Sequence, residues 1–276
     1  VSGLSKLRDV MTLDAALARS SSLSPTERVS FWARRYVTVA RRRNEIEYLG
    51  HPFRYDNPFT PIILGAYPQE AERLVALLGS APRTVLDIGA NVGQFAVSIA
   101  HLAPGARGWS FEPNPGIVPL LEANTAHLPS WRVVPTAVGA RSEERDFWSV
   151  PDKSSQGSFV RENSESGIAA TAVPTRVRTV TLDGPARAEL DIPAEIDLVK
   201  IDVEGAESDA IRGIAGLEWR WMAVEVSTDE REGLSLEGTV DLIRSLWDRV
   251  PEVRWAPVPA PGTIARDVVL RLPDAP

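Results

Sequence analysis

Two groups of residues in this chain have the types and spacing that chemistry requires. The first is Asp87-Ile88-Gly89-Ala90-Asn91-Val92-Gly93, where an acid precedes two glycines that let a backbone approach a ligand closely. Nineteen residues past Gly93 stands Glu112, at the end of the apolar stretch Trp109-Ser110-Phe111. That distance suits a nucleoside: the loop takes one end and the carboxylate takes the ribose hydroxyls. The second group is Lys200, Asp202 and Glu204, followed by Glu225. These groups could accept a proton or hold a cation. Asp202 is the first candidate for a general base, with Lys200 and Glu204 beside it and His51 as a rival base. Asp202 and Glu225 could instead grip a magnesium ion through oxygen ligands, although no third ligand follows Glu225.

Each group also has a bland explanation. Gly89 and Gly93 could serve only close packing of helix on strand. Lys200, Asp202 and Glu204 could form a salt-bridge network at a sheet edge, and Glu225 could pair with Lys200. His101 and His127, near helix ends, suit C-terminal cations better than ligands.

The elements that must position these residues follow from periodicity. From Thr84 onward strands and helices alternate, as in a parallel sheet covered on both faces. Strands are predicted over 84–88, 108–112, 132–138, 196–202, 221–227, 252–258 and 266–272, and helices near 93–103, 115–126, 205–214 and 236–249. Residues 144–150 and 175–182 read as strands around a polar loop, giving a β insertion at about 140–182. The last two strands have only a proline-rich turn between them, so an antiparallel strand closes the sheet. Residues 1–80 form a separate helical N-terminal region, opened by the capping box Ser24-Pro25-Thr26-Glu27. Within it Gly50 to Pro61, with three prolines and alternating aromatics, reads as a loop or edge strand. A helix resumes around Pro68. The fold class is thus α/β, Rossmann-like, with seven mostly parallel strands, a helical cap over 1–80 and a ligand-binding domain over 81–276.

Composition narrows the partners. The 276 residues are 43% hydrophobic and 24% charged, with a formal net charge of −7, which argues against nucleic acid. Cysteine is absent, removing disulfides, thiolate metal sites and a cysteine nucleophile. No run reaches the length of a membrane helix and the start lacks a signal-peptide core, so a cytoplasmic protein without a membrane partner is expected. Oligomeric state has no signal in the sequence.

The glycine loop chooses between nucleosides. A nicotinamide enzyme would carry G-x-G-x-x-G, whereas here only Gly89 and Gly93 stand, with three residues between them. Asp87 would oppose a pyrophosphate but attract an ammonium. S-adenosyl-L-methionine has an ammonium, a sulfonium and no phosphate, so it fits better. A nicotinamide-dependent oxidoreductase and a non-catalytic cofactor-binding homologue are the alternatives.

Four stretches carry a resemblance: Asp87 to Gly93, Phe111-Glu112-Pro113-Asn114, Thr136-Ala137-Val138-Gly139 and Asp197 to Glu207. Together they resemble the FkbM-type methyltransferases over about residues 65–272, most specifically from Lys200 to Glu207. The resemblance implies a class I methyltransferase fold and transfer of a methyl group to a hydroxyl of a sugar, glycoside or polyketide natural product. It implies that Asp87, Gly89, Asn91 and Gly93 hold the methionine moiety and Glu112 the ribose. Pro113 and Asn114 would line the adenine side, Ala137 and Val138 would pack near the base, and Ser158 matches a serine of the family's inserted loop. Asp202 would end the strand that brings side chains to the methyl group.

Overall fold

The computed structural model describes residues 44–56, 60–149, 159, 173–227, 233–255 and 265–273. The predicted helix behind the 24–27 capping box, the tip of the insertion and Ser158 lie outside these residues. Two compact units divide between Ala66 and Tyr67.

The described part of the first unit holds a hairpin, whose second strand falls in the segment expected as a loop or edge strand and whose first replaces expected helix. β1 (Glu45–Tyr48) pairs antiparallel with β2 (His51–Arg54). Leu49 and Gly50 both have positive φ, 49° and 85°, the pattern of a type I′ turn whose twist matches the strands it joins. Tyr48 and Phe53 meet edge to face at 5.3 Å. Helix α1 (Thr60–Leu78) then starts well before the expected Pro68, which lies in its interior. Pro61 is harmless in a first turn, where its missing N–H has no helical acceptor. Pro68 removes one ladder bond, yet the helix continues and buries Ala71 and Leu74.

The second unit is built on seven strands: β3 (Thr84–Ile88), β4 (Arg107–Phe111), β5 (Trp131–Val134), β9 (Glu195–Ile201), β10 (Glu218–Ser227), β11 (Glu252–Trp255) and β12 (Ala265–Arg271). Their order is β11-β12-β10-β9-β3-β4-β5, with β12 antiparallel to both neighbours and the others parallel. The expected sheet and its reversed closing strand are both present. Helices α2 (Gln94–Leu102), α3 (Val118–Thr125), α5 (Glu207–Gly213) and α6 (Leu236–Trp247) fall at the expected places, joined by a short α4 (Pro185–Glu189).

Alternation along the strands sorts side chains onto two faces. Leu86, Ile88, Val199, Ile201, Met222 and Val224 face one core with Ile211 and Ile243 of the helices. Val85, Leu198, Trp221, Ala223 and Val269 face a second core with Phe95, Ile99, Ala71 and Leu74. The expected strand 132–138 is two pieces in different sheets, because Pro135 has no N–H to donate and breaks the ladder. Its second piece, β6 (Ala137–Val138), joins the insertion strands β7 (Glu144–Ser149) and β8 (Val173–Val180) in the order β6-β8-β7. This small sheet is tied to α5: Leu182 N–H donates to Gly213 O at 2.7 Å, and Arg145 pairs with Asp209 at 2.5 Å.

Candidate active site

Successive strands leave β3 toward β4 and β5 on one side, and β9 toward β10 on the other. The crevice at the carboxyl ends of β3 and β9 is therefore the topological switch point, where open α/β sheets bind ligands. There the N–H of Asp202 donates to Ile88 O at 3.1 Å.

The glycine loop opens on this crevice. Gly89 and Gly93 have φ of 83° and 93°, so both need the freedom that glycine alone has. A Cβ on Gly89 would stand 1.8 Å from the carbonyl oxygen of Asp202, and one on Gly93 would stand 2.9 Å from the Leu121 side chain. Both glycines thus serve close approach, Gly89 to the backbone past β9 and Gly93 to the side chains of α3, rather than the helix-on-strand packing offered as their bland explanation. Asn91 is left-handed as well, and its Oδ1 accepts from the Val92 N–H at 2.7 Å.

Glu112 joins two loops. Its Oε2 accepts from the Asn91 N–H and its Oε1 from the Asn114 N–H, each at 2.8 Å. Burial raises its pKa to about 7 while these two bonds pull it down. Each oxygen keeps a second lone pair for a ribose hydroxyl. Asn114 is buried and Pro113 half-buried, whereas Val138 packs into the core beside Gly213, with Ala137 buried next to it.

Asp87 is fully buried on β3. Its Oδ2 accepts from the Ser110 hydroxyl at 3.0 Å, but its Oδ1 has no hydrogen-bond partner. Burial lifts its pKa to about 6, against the pull of Lys200 and Ser110. A buried acceptor with an unused oxygen is costly unless a ligand completes it. Together with the spare lone pairs of Glu112, it fits the cationic, phosphate-free donor.

The second group assembles in the register of the sheet. Lys200 on β9 lies opposite Asp87 on β3 and Ala223 on β10. Its Nζ donates to Asp202 Oδ2 at 2.9 Å and stands 5.6 Å from the centre of the Phe95 ring. Burial works against its charge, but Asp202, Tyr67 and Asp87 outweigh it and hold the ammonium protonated. Glu204 is exposed in a left-handed turn with Gly205, and α5 begins only at Glu207, two residues after the expected start. The buried Glu207 holds that turn by accepting from the Gly205 N–H at 3.0 Å. Asp197 acts at the other end of β9, where its Oδ2 accepts from Arg83 and Thr84 N–H. His51 opens β2 in the first unit.

Glu225 does not pair with Lys200. It lies opposite Asp267 on the antiparallel β10–β12 ladder, and neither side-chain carboxyl has a hydrogen-bond or ion-pair partner among the described residues. Burial, then Asp202, Glu204, Asp267 and Glu207, push Glu225 up to about 9. Asp267 opens into a cavity yet is ringed by protein, and burial and Asp202 raise it to about 6. The magnesium expectation finds no support. The Lys200 ammonium occupies one oxygen of Asp202, and no group of three or more potential ligands exists among the described residues.

A folded pKa above the unfolded one gives Glu225 a contribution to stability that is complete below about 4.5 and lost as pH rises through about 9. Glu225→Gln should therefore melt at least about 5 °C above the parent at pH 9, and within about 3 °C of it at pH 5. Parallel melting profiles across that range would show Glu225 ionising like a surface acid.

Sequence reasoning missed Asp267 and Tyr67. Asp267 shares a strand face with Val269, a signal visible only once the register of β12 against β10 is known. Tyr67 was hidden by Pro68, which suggested that no helix preceded it.

A sheet of this order with one reversed strand, and a glycine loop leaving its central strand toward an acid at the end of the next, defines the class I methyltransferase fold. The sequence matches the methyltransferase FkbM domain over residues 87–249. The chain belongs to this family, and is a methyltransferase for which family membership implies S-adenosylmethionine as donor. It is 29% identical over 210 residues to the 2-O-methyltransferase NoeI of Sinorhizobium fredii, spanning 72% of this chain and 83% of that protein. It is 30% identical over 165 residues to the 31-O-demethyl-FK506 methyltransferase FkbM of Streptomyces tacrolimicus, spanning 49% and 60%. A distant likeness, at 12% identity and a TM-score of 0.45, links it to the magnesium protoporphyrin IX methyltransferase ChlM of Synechocystis with bound SAH, over 88% of this chain and 93% of that one. Among the described residues no helix is long and apolar enough to cross a membrane.

Proposed function

We propose that the protein transfers the methyl group of S-adenosylmethionine to a hydroxyl of a small acceptor, a sugar, glycoside or polyketide natural product. The observation that carries this reading is the unpaired, buried Oδ1 of Asp87 beside the Glu112 carboxylate, an anionic pocket that suits a cationic donor and repels a dinucleotide. Of the two relatives described above, one is named a 2-O-methyltransferase and the other a methyltransferase of 31-O-demethyl-FK506. A net charge of −7 also favours a small neutral acceptor over a nucleic acid.

The donor supplies an electrophilic methyl group on sulfur; the chain supplies alignment and a proton acceptor. Glu112 and the left-handed glycine loop fix the nucleoside end, and Asp87 offers a carboxylate to the ammonium. Asp202 Oδ1 is the open carboxylate oxygen at the end of β9, since Lys200 holds Oδ2 and so fixes the side chain. It takes the acceptor's proton. Glu225 cannot do so at neutral pH, because with a pKa of about 9 it is already protonated.

Calorimetric titration with S-adenosylhomocysteine tests the donor site. Glu112→Ala should weaken binding about 10- to 100-fold, the loss of hydrogen bonds to a charged group on two loops and the ribose. Unchanged affinity would remove Glu112, and the pocket it closes, from donor binding.

A further inference from the structure

A cavity of about 580 Å³ lies between α1 and the face of the sheet formed by β9, β10 and β12. That volume falls within the range of small-molecule sites. Its walls are apolar along most of their length: Leu74 on α1, Phe95 on α2, Val269 on β12 and Trp255 on β11. Its polar groups are Tyr67, Lys200 and Asp267, with Glu70 and Arg73 on α1.

Three of these polar groups have hydrogen-bonding capacity to spare. Lys200 is 6% exposed and has three N–H donors, of which one is spent on Asp202. The Tyr67 hydroxyl and the Asp267 carboxyl have no hydrogen-bond or ion-pair partner among the described residues. Donors and acceptors thus stand together, a combination that suits hydroxyls, which both give and accept. A strongly anionic ligand would meet Asp267 and Glu70, and a wholly polar one would strand the apolar walls.

The cavity adjoins the chemistry through one side chain. Lys200 lines it and also holds Asp202, whose N–H is bonded to the end of β3 beside Gly89. A hydroxyl held by Lys200 therefore sits next to the proposed proton acceptor.

We infer that this cavity is the acceptor pocket and that it takes an amphiphile: a neutral, hydroxyl-bearing head against Lys200, Tyr67 and Asp267, with an apolar body along Leu74, Phe95, Val269 and Trp255. The inference rests on the O-methyltransferase reading and adds to it the class of acceptor.

Methyl and octyl β-glucoside, the latter kept below micelle-forming concentrations, are suitable probes in calorimetric titrations with S-adenosylhomocysteine present. Each buried methylene tightens binding about fourfold, so burial of half the seven extra ones gives about a hundredfold. The octyl compound should bind at least about a hundredfold more tightly than the methyl one. Ala76 lines the cavity from an exposed position on α1, so Ala76→Trp obstructs the cavity without disturbing the core. It should reduce the difference to less than about tenfold and leave S-adenosylhomocysteine affinity unchanged. Equal affinities for the two glucosides, or a chain-length preference that survives Ala76→Trp, would overturn the inference. Failure of the donor to bind would count against the methyltransferase site itself, and is read separately in the same instrument.

Discussion

Lys200→Met should destabilise the fold by about 3–5 kcal/mol at pH 7.5, the usual result of removing one partner from a buried ion pair. Methionine replaces most of the lysine stem, so packing against Phe95 is nearly preserved and the loss is electrostatic. The ammonium now faces Asp202 at 2.9 Å and acts on Asp87, Tyr67 and Asp267 as well. Without it the buried Asp87 is left beside Asp202 and Asp267, which are partly open to solvent, with no cation among them. Acid should repair the damage: with the parent Asp87 and Asp267 both titrating near 6, protonation removes the uncompensated charge. Urea unfolding should show the deficit shrinking by at least half between pH 7.5 and pH 5. A deficit under about 1 kcal/mol at pH 7.5 would mean that Lys200 is a solvated surface cation, in conflict with its burial.

Asp202→Asn should lower the rate of methyl transfer about 10²–10⁴-fold, the usual contribution of a positioned base. The amide keeps the shape and its oxygen can still accept from Lys200, so the fold and donor site survive. S-adenosylhomocysteine affinity should stay within about threefold of the parent. Full activity in the variant would show that the acceptor's proton leaves by another route. Loss of donor affinity in parallel with rate would instead make Asp202 a donor-binding residue.

Much of this architecture is legible before any coordinates. Runs of β-branched and apolar residues such as Thr84-Val85-Leu86 and the helical spacing of Phe95, Val97 and Ile99 report burial locally, and the strands and helices they predict are present within a few residues. The glycine loop is legible too, because a left-handed backbone narrows the choice of residue. Other features depend on contacts that no local pattern encodes. The split of the expected strand 132–138 turns on one proline and on which sheet each half joins. The second strand of the 45–54 hairpin lies in the segment read as a loop or edge strand, but the first escaped notice because a strand of four residues is too short to show alternation and the left-handed Leu49 gives no turn signal of its own. Pairing among the acids was hidden for a similar reason. Glu225 faces Asp267 rather than Lys200 because β12 runs antiparallel, and that register is set by the whole ladder.

The contact between Gly89 and the carbonyl of Asp202 has a mechanical consequence. With room for only a hydrogen atom between them, the loop that would carry the donor and the strand end that would receive the proton stand at their closest possible approach, and the Asp202 N–H bond to Ile88 O ties the two strands there. A displacement of about 1 Å between reacting groups can cost a hundredfold in rate. The smallest residue in the chain thus acts as a spacer gauge, setting how closely the loop can sit against the strand end.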